Sequence, residues 1–218
     1  MIKLRVTFSK GGRLTYTSHL DLARAWERAL RRAGLPLAYS QGFNPRPKLQ
    51  LAAALPLGHT GEAELLDVQM ERPVTLEDFA KSLTPVLPDG LMISQVRQVR
   101  LKEPALQTQI RSAEYRVTVE WYPEPAEKRG ELVEQVEARI ERVLAATELP
   151  QERRGRRYDL RPLIERLWLE QTDRDQVVLG MQLAARTGAT ARPEAVLEAL
   201  GMSKAFAHCH RRRLLIDT

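Results

Sequence analysis

Apolar and polar residues alternate along the first strand-like segment of the chain. Every second residue from Ile2 to Phe8 is apolar, which is the pattern of a strand with one buried face. Over residues 19–33 the apolar residues recur at helical spacing, and Ser18 precedes Asp21 by three positions, which predicts a helix N-cap. The remaining patterns of the first half predict strands over 35–40, 49–57, 63–70 and 91–101 and a helix over 75–83. We interpret the order of elements as β-α-β-β-α-β, that of a ferredoxin-like fold.

The second half of the chain repeats this order. Strand patterns cover 114–122, 161–170, 176–185 and 211–217, and helical patterns cover 128–146 and a segment that starts at Pro193. We therefore predict an α+β protein with two tandem ferredoxin-like (βαββαβ) halves and antiparallel sheets, over residues 1–102 and 113–218. The alternative is one continuous α+β domain, since no residue-by-residue repeat accompanies the repeated order.

Composition narrows the class of protein. The chain has 218 residues, of which 43% are hydrophobic and 28% charged, as in a folded globular protein. No apolar run approaches the roughly 20 residues that cross a bilayer, and the N-terminus lacks the apolar core of a signal peptide. We therefore expect a cytoplasmic protein that makes no membrane contact. Cys209 is the single cysteine, which excludes a disulfide framework and a thiolate metal cluster made by this sequence alone.

We expect neither a metal ion nor a cofactor. His208, Cys209 and His210 are consecutive, and side chains alternate along a strand, so the three cannot all face one ion. The sequence also lacks the phosphate loop G-x-x-x-x-G-K-[ST], the elbow G-x-S-x-G and the zinc motif H-E-x-x-H. These absences argue against the common nucleotide-hydrolase, esterase and zinc-protease sites.

Positive charge is concentrated near the start of the chain. Residues 1–60 contain ten basic and two acidic side chains, whereas the net charge of the whole chain is only +6. A local positive field of this kind attracts an anionic partner. The spacing of Arg24, Arg28 and Arg31 places them on one side of the predicted helix. They either contact a phosphate backbone or form an ordinary solvated helix face.

A second candidate site is the segment 39–48, in which Gly42 frees the backbone and two prolines stiffen it. Tyr39 and Phe43 offer faces on which bases can stack. The segment also contains polar side chains that can donate to bases or phosphates, namely Gln41, Asn44, Arg46 and Lys48. The alternative is a structural hairpin whose aromatic residues belong to the core.

Two further candidates are a helix start and a second basic cluster. His19 follows the predicted cap and is a weak candidate for a phosphate ligand or a catalytic acid or base, the alternative being an exposed first-turn residue. The cluster Arg153–Arg157 predicts a flexible basic loop that either extends a phosphate-binding surface or is a disordered turn. The predicted binding residues are Arg13, Ser18, His19, Arg24, Arg28, Arg31, Tyr39, Gln41, Phe43, Asn44, Arg46, Lys48 and Arg161.

The segment TYTSHLDLARAWERALRRAGLPLAYSQGFNPRPKLQLAAALPLG, residues 15–58, resembles the signature of the radical SAM-linked protein family. Further matching segments are GHTGEAELLD (58–67), YDLRPLI (158–164), TARPE (190–194) and RRL (212–214). At Arg46 we expect histidine in many relatives. The resemblance implies a partner, a radical SAM enzyme that supplies the cluster this chain lacks, but it implies no activity and no catalytic residue.

Three functions are compatible with these features. The first is a non-catalytic accessory protein that binds structured RNA, such as tRNA or rRNA, and works with a radical SAM enzyme. The second is an adaptor that docks on the radical SAM protein without RNA. The third is a metal-independent RNA-processing enzyme that uses His19 together with Tyr16, Tyr39 or Lys48.

Overall fold

The computed structural model describes residues 1–120, 129–173 and 176–216. These residues form a mixed α+β fold with mostly antiparallel strands and several helices. They divide into two compact units, unit 1 over Met1–Ile110 and unit 2 over Arg111–Leu215. The ends of the predicted strand 114–122 and of the predicted strand 211–217, and the start of the predicted helix 128–146, fall outside the described residues.

Unit 1 contains four strands and three helices. Its sheet has the strand order β4-β1-β3-β2, in which β1 pairs antiparallel with both β3 and β4, and β2 pairs antiparallel with β3. Short 3₁₀ turns occupy Gly12–Tyr16 and Thr84–Val86. The elements are β1 (Ile2–Lys10), α1 (His19–Arg32), β2 (Leu49–Leu51), β3 (Thr60–Met70), α2 (Leu76–Leu83), β4 (Leu91–Val99) and α3 (Leu106–Gln109).

The two faces of β1 are buried in different surroundings, one apolar and one charged. Leu4, Val6 and Phe8 are fully buried in the apolar core beneath α1, where the Phe8 ring meets the edge of Trp26 with the ring centroids 4.8 Å apart. Such an edge-to-face pair adds stability beyond the area that it buries. Lys3 and Arg5 lie on the other face of the strand, but they too are buried. The half-exposed strand predicted from the sequence is therefore covered on both faces.

Two predicted strands of unit 1 are wrong or too long. Over 35–40 the structure has only the isolated bridges Leu37–Met70 and Tyr39–Pro47, and the strand predicted over 49–57 is reduced to β2. Proline has no N–H for a strand ladder. Pro36 therefore cannot continue the pairing before Leu37, and the chain runs as irregular backbone between single bridges.

Unit 2 is built around β9, which pairs antiparallel with β5 on one side and with β8 and β10 on the other, while β5 also neighbours β11. A separate hairpin consists of β6 and β7. The elements are β5 (Ile110–Glu120), α4 (Arg129–Ala145), β6 (Pro150–Arg153), β7 (Arg156–Asp159), β8 (Ile164–Thr172), β9 (Gln176–Arg186), β10 (Ala189–Thr190), α5 (Pro193–Ala199) and β11 (Ala207–Ile216).

Local sequence accounts for several boundaries of unit 2. Pro193 occupies the first turn of α5, as predicted, because its missing N–H has no partner there in any helix. The predicted strand 161–170 begins only at Ile164, since Arg161–Leu163 form a 3₁₀ turn with a proline at its start. Strand β11 begins before the predicted residue 211 and carries Cys209 on its buried side.

Candidate nucleic-acid interface

Helix α1 presents its arginines to solvent because its apolar stripe is fixed in the core. Ser18 is the N-cap, as predicted: its Oγ accepts from the Asp21 backbone N–H at 3.2 Å and donates to Asp21 Oδ2 at 2.7 Å. The inward positions include Leu22, Trp26 and Leu30, all of them buried. Since residues three and four apart share a helix face, this stripe leaves the opposite face to charged side chains.

The outward face of α1 is strongly basic. The exposed arginines of the helix are Arg24, Arg28, Arg31 and Arg32. One of them, Arg24, forms an ion pair with Asp21 at 3.0 Å, with 69% and 55% of the two side chains exposed. Exposed pairs of this kind contribute little and are screened by salt. The hydrogen bond from Ser18, followed by that from Arg24, lowers the pKa of Asp21, so this carboxylate is ionised at neutral pH.

Arg28 and Arg32 stand one helical turn apart beside a cleft of about 260 Å³. The other wall of the cleft is the turn that follows α2, formed by Val86, Leu87 and Pro88. The walls are apolar and the two guanidinium groups are exposed. Two cations at one cleft can contact neighbouring phosphates of a nucleic-acid strand.

The loop between α1 and β2 is closed at its base by two hydrogen bonds between Ser40 and Arg46. Ser40 N–H donates to Arg46 O at 2.9 Å, and Arg46 N–H donates to Ser40 Oγ at 3.0 Å. Gly42 lies between these residues with a φ of 129°, a conformation that L side chains rarely adopt. The base is therefore constrained, while the residues of the tip, 41–45, are all exposed.

Phe43 is the most exposed large apolar side chain of the described residues, with none of its surface covered. The alternative that the loop aromatics belong to the core is thus wrong for Phe43, and Tyr39 is also exposed. A bare aromatic ring on a closed loop is a face on which an unstacked base can bind. Gln41 and Asn44 are exposed on either side of it and offer amide groups for base edges.

One contact joins the loop to the helix. Arg31 Nε donates to the Tyr39 hydroxyl at 3.3 Å, and its guanidinium carbon lies 5.9 Å from the centre of the Tyr39 ring. The helix arginines and the loop are therefore parts of one patch. We call this patch the basic surface, and it consists of Arg24, Arg28, Arg31, Arg32, Tyr39, Phe43 and Arg46.

Other predicted binding residues lie elsewhere or are already engaged. Lys48 lines a cleft of about 180 Å³ together with Lys3, Gln50 and Asp67, on the sheet face away from α1. Arg13 is exposed on the 3₁₀ turn after β1. Ser18 uses its hydroxyl as the helix cap, and His19 is half-buried in the first turn of α1.

Arg161 has a structural role in unit 2. Its guanidinium donates to Leu144 O at 3.0 and 2.8 Å and to Ile164 O at 3.2 Å. Leu144 O belongs to the last turn of α4, whose terminal carbonyls have no partner within the helix. Arg161 therefore caps α4, and we leave it out of the basic surface.

Sequence reasoning missed a buried charge cluster in unit 1. Asp67 on β3 lies directly opposite Arg5 on β1, and the two are linked by Arg5 Nε to Asp67 Oδ1 at 2.7 Å and Nη2 to Oδ2 at 3.0 Å. Lys3 Nζ lies 3.2 Å from Asp67 Oδ2, and Arg5 also donates to Gln109 Oε1 at 3.3 Å. Lys10 is buried as well. Three of the ten basic residues counted near the start of the chain thus add little to the surface charge.

Comparison with known proteins shows what this chain is similar to. The family model described as "Uncharacterized protein conserved in bacteria" (DUF2344) matches residues 3–193. No curated protein matches the sequence. Among the described residues, no helix is long and apolar enough to cross a membrane.

Two solved structures share the fold at low sequence identity. A chain of the archaeal box H/ACA sRNP Nop10–Cbf5 complex is 11% identical with a TM-score of 0.51, over 97% of this chain and 47% of that chain. A chain of a Cbf5–Nop10–Gar1 complex is 10% identical with a TM-score of 0.52, over 97% and 48% of the two chains. The protein thus spans about half the length of these chains, and the likeness is one of fold.

Proposed function

We propose that this protein, which belongs to the bacterial family DUF2344, binds structured RNA through its basic surface and acts as an accessory protein to a radical SAM enzyme. The observation that carries the RNA proposal is the contact between Arg31 and Tyr39. It places a row of exposed arginines next to a closed loop that bears a bare aromatic ring. A phosphate backbone and an unstacked base are the two groups that such a patch can bind together.

The arginines supply binding affinity through phosphate contacts, which do not depend on the base sequence of the RNA. Arg28, Arg31, Arg32 and Arg46 are exposed and form no ion pair among the described residues. Four phosphate contacts give a slope of about −3.6 for log K against log salt on a duplex. Binding should therefore weaken roughly 150-fold between about 50 and 200 mM salt.

The loop tip supplies preference for structured RNA that has unpaired bases. Double-stranded RNA offers its phosphates to α1, whereas a loop or bulge offers bases that can be splayed out onto Phe43. One stacked base is worth about 1–3 kcal/mol. A stem with an adjoining loop, as in tRNA or rRNA, presents both elements within the span of this surface.

We further propose that each unit is a ferredoxin-like module. In unit 1 the order β4-β1-β3-β2, with α1 and α2 in the two crossovers, supports this assignment. In unit 2 the order β11-β5-β9-β8 supports it in the same way. The same fold in a chain of an archaeal sRNP complex is a precedent for its use beside RNA. We keep 1–102 and 113–218 as the proposed domain limits, whereas the two compact units divide after Ile110.

The radical SAM partnership rests on the resemblance of residues 15–58 and not on the geometry. Those residues contain α1, the loop and β2, so the resembling segment coincides with the basic surface. RNA held there is held for chemistry that the partner performs. A purified radical SAM protein encoded beside this chain should therefore bind it, and RNA should strengthen the complex.

The test is fluorescence anisotropy with a labelled RNA hairpin. In the double variant Arg28→Ala/Arg32→Ala the salt slope should fall by about 1.8, which is half of its value. The matched control Arg72→Ala/Lys81→Ala also removes two exposed positive charges from unit 1, but neither residue belongs to the basic surface, and the slope should stay unchanged. Phe43→Ala should weaken binding by about 1–3 kcal/mol, whereas Phe206→Ala, an exposed phenylalanine of unit 2, should not.

Several outcomes would decide against the proposal. If the wild-type protein does not bind the hairpin at about 50 mM salt, RNA binding is wrong. If both double variants lower the slope equally, the charge acts in bulk and the basic surface is not the site. A radical SAM complex that is insensitive to nuclease and lost in Arg28→Ala/Arg32→Ala would favour the adaptor function.

A further inference from the structure

We infer that unit 2 contains a separate binding pocket for a small ligand of the mononucleotide class, which carries a phosphate next to a ring. The pocket has a volume of about 450 Å³, within the range of small-molecule sites. It lies between the β6–β7 hairpin and the turn that joins β9 to β10. The side chains that line it are Arg153, Arg156, Tyr158, Asp159, Leu163 and Thr190.

The tight β6–β7 hairpin determines on which of its faces the pocket arginines, Arg153 and Arg156, lie. Arg154 and Gly155 connect β6 to β7 with φ values of 53° and 74°, which is the two-residue turn with both central residues left-handed. The flexible basic loop predicted from the sequence is therefore wrong. Because Arg153 is paired with Arg156 and Gln151 with Tyr158, side-chain alternation places these four residues on one face of the hairpin.

The paired arginines form no ion pair with a carboxylate of the described residues. Like charges directly opposite each other destabilise a hairpin, and the next pair, Glu152 with Arg157, has opposite charges on the other face. Within the described part of the chain, neither Arg153 nor Arg156 has an ion-pair partner. The nearby carboxylate of Asp159 already accepts from Leu149 N–H at 2.7 Å and from Arg161 N–H at 3.0 Å. A bound dianion would relieve the repulsion that the fold leaves between the two guanidinium groups.

The rest of the pocket suits a ring. Tyr158 and Leu163 supply an aromatic face and an apolar wall, while the Thr190 hydroxyl donates to Arg186 O at 3.1 Å and keeps its lone pairs for a ligand donor. Arginine forks bind phosphate oxygens in bidentate fashion. Asp159 is the one carboxylate among the described side chains that line the pocket, whereas Glu152, Glu194 and Glu198 line a neighbouring cleft that shares Arg153 and Tyr158 with it.

Isothermal titration of the full chain with AMP and UMP tests this site. Both should bind saturably, and adenosine and uridine, which lack the phosphate, should bind at least tenfold more weakly. Arg156→Ala should weaken AMP binding roughly tenfold or more, because a charge-assisted contact is lost. The matched control is Arg157→Ala, which removes the same charge one residue away from the opposite face of the hairpin.

The result that overturns the proposal is no saturable binding of either nucleotide at about 1 mM, the weak limit of a specific site. Equal losses in Arg156→Ala and Arg157→Ala would also overturn it, as would binding of a 5′-phosphorylated RNA oligonucleotide without binding of the free nucleotides. If Arg156→Ala has an altered circular dichroism spectrum, Arg153→Lys replaces it, since lysine keeps the charge but loses the bidentate contact. Arg153→Lys should weaken AMP binding, and unchanged affinity in that variant counts against the site.

Discussion

The substitution Asp67→Asn removes the counter-charge of two buried cations while it keeps the size of the side chain. The side chains of Arg5 and Asp67 are 1% and 2% exposed and that of Lys3 is 6% exposed, so the cations left behind stay largely out of solvent. The amide has only one acceptor oxygen, so of the two Arg5 hydrogen bonds, at 2.7 and 3.0 Å, and the Lys3 contact at 3.2 Å, those that face the new NH2 group are lost.

The expected loss of stability is large because the remaining charges stay buried. Breaking a buried ion pair by removing one partner costs about 3–5 kcal/mol. Native proteins are stable by only about 5–15 kcal/mol in total. The matched control is Asp21→Asn, which breaks an ion pair of similar length, 3.0 Å, in solvent and should cost far less stability than Asp67→Asn.

Urea unfolding followed by the fluorescence of Trp26 measures this loss in unit 1. Trp26 is fully buried there, and a background with Trp121→Phe and Trp168→Phe leaves it as the single tryptophan. The triple variant Lys3→Met/Arg5→Met/Asp67→Leu should recover most of the stability, since an apolar cluster of similar volume replaces all three charges. A loss of less than about 1 kcal/mol in Asp67→Asn would refute the reasoning.

Two further predictions concern unit 2. Gly180→Ala places a methyl group into the indole of Trp168, its cross-strand partner, and should destabilise the protein by roughly 1–3 kcal/mol in thermal unfolding. In Trp168→Ala/Gly180→Ala the loss should be smaller than the sum of the two single losses, and simple additivity would contradict the clash. Burial raises the pKa of Cys209 to about 12, so at pH 8 its reaction with a disulfide reagent should be far slower in the native than in the unfolded protein, and equal rates would contradict the burial. The Cys209 thiol ionises at a lower pH in the unfolded chain than in the native protein. The stability of the protein to urea should therefore also fall as pH rises from about 9 towards 12.

The local elements could be predicted from the sequence where one physical signal acts alone. The cap at Ser18, the period of α1 and the start of α5 at Pro193 depend only on residues a few positions apart. The chain on each side of the loop 40–48 depends on a partner elsewhere in the sequence. The Ala38 N–H donates to Gln69 O, and Lys48 O accepts from the Gln69 N–H. Pairing of this kind has no signature in a local window.

The candidate site was harder to predict because the sequence does not show whether a charged side chain is buried or exposed. Arg5 and Arg28 are the same residue type in equally basic surroundings, yet one is paired with Asp67 in the interior and the other is exposed. The register of β1 and β3 decides this, and it brings together residues 62 positions apart. The turn at Arg154 was missed for a related reason: left-handed backbone is uncommon for residues other than glycine, so arginine gives no signal for it.

Under the proposed RNA-binding function, the buried charges of unit 1 would limit where RNA binds. In many small α+β domains, bases stack on the sheet face that the helices leave open. In this unit that face carries Lys3, Arg5 and Asp67, and α3 covers it: Leu106 is fully buried and Leu106 N–H donates to Gln50 Oε1 on β2 at 2.9 Å. The sheet has no open aromatic platform there for a base. The exposed ring of Phe43 and the four exposed arginines of α1 belong instead to α1 and its loop, so phosphate contacts and one stacked base at Phe43 are the mode of RNA recognition that we propose for this unit.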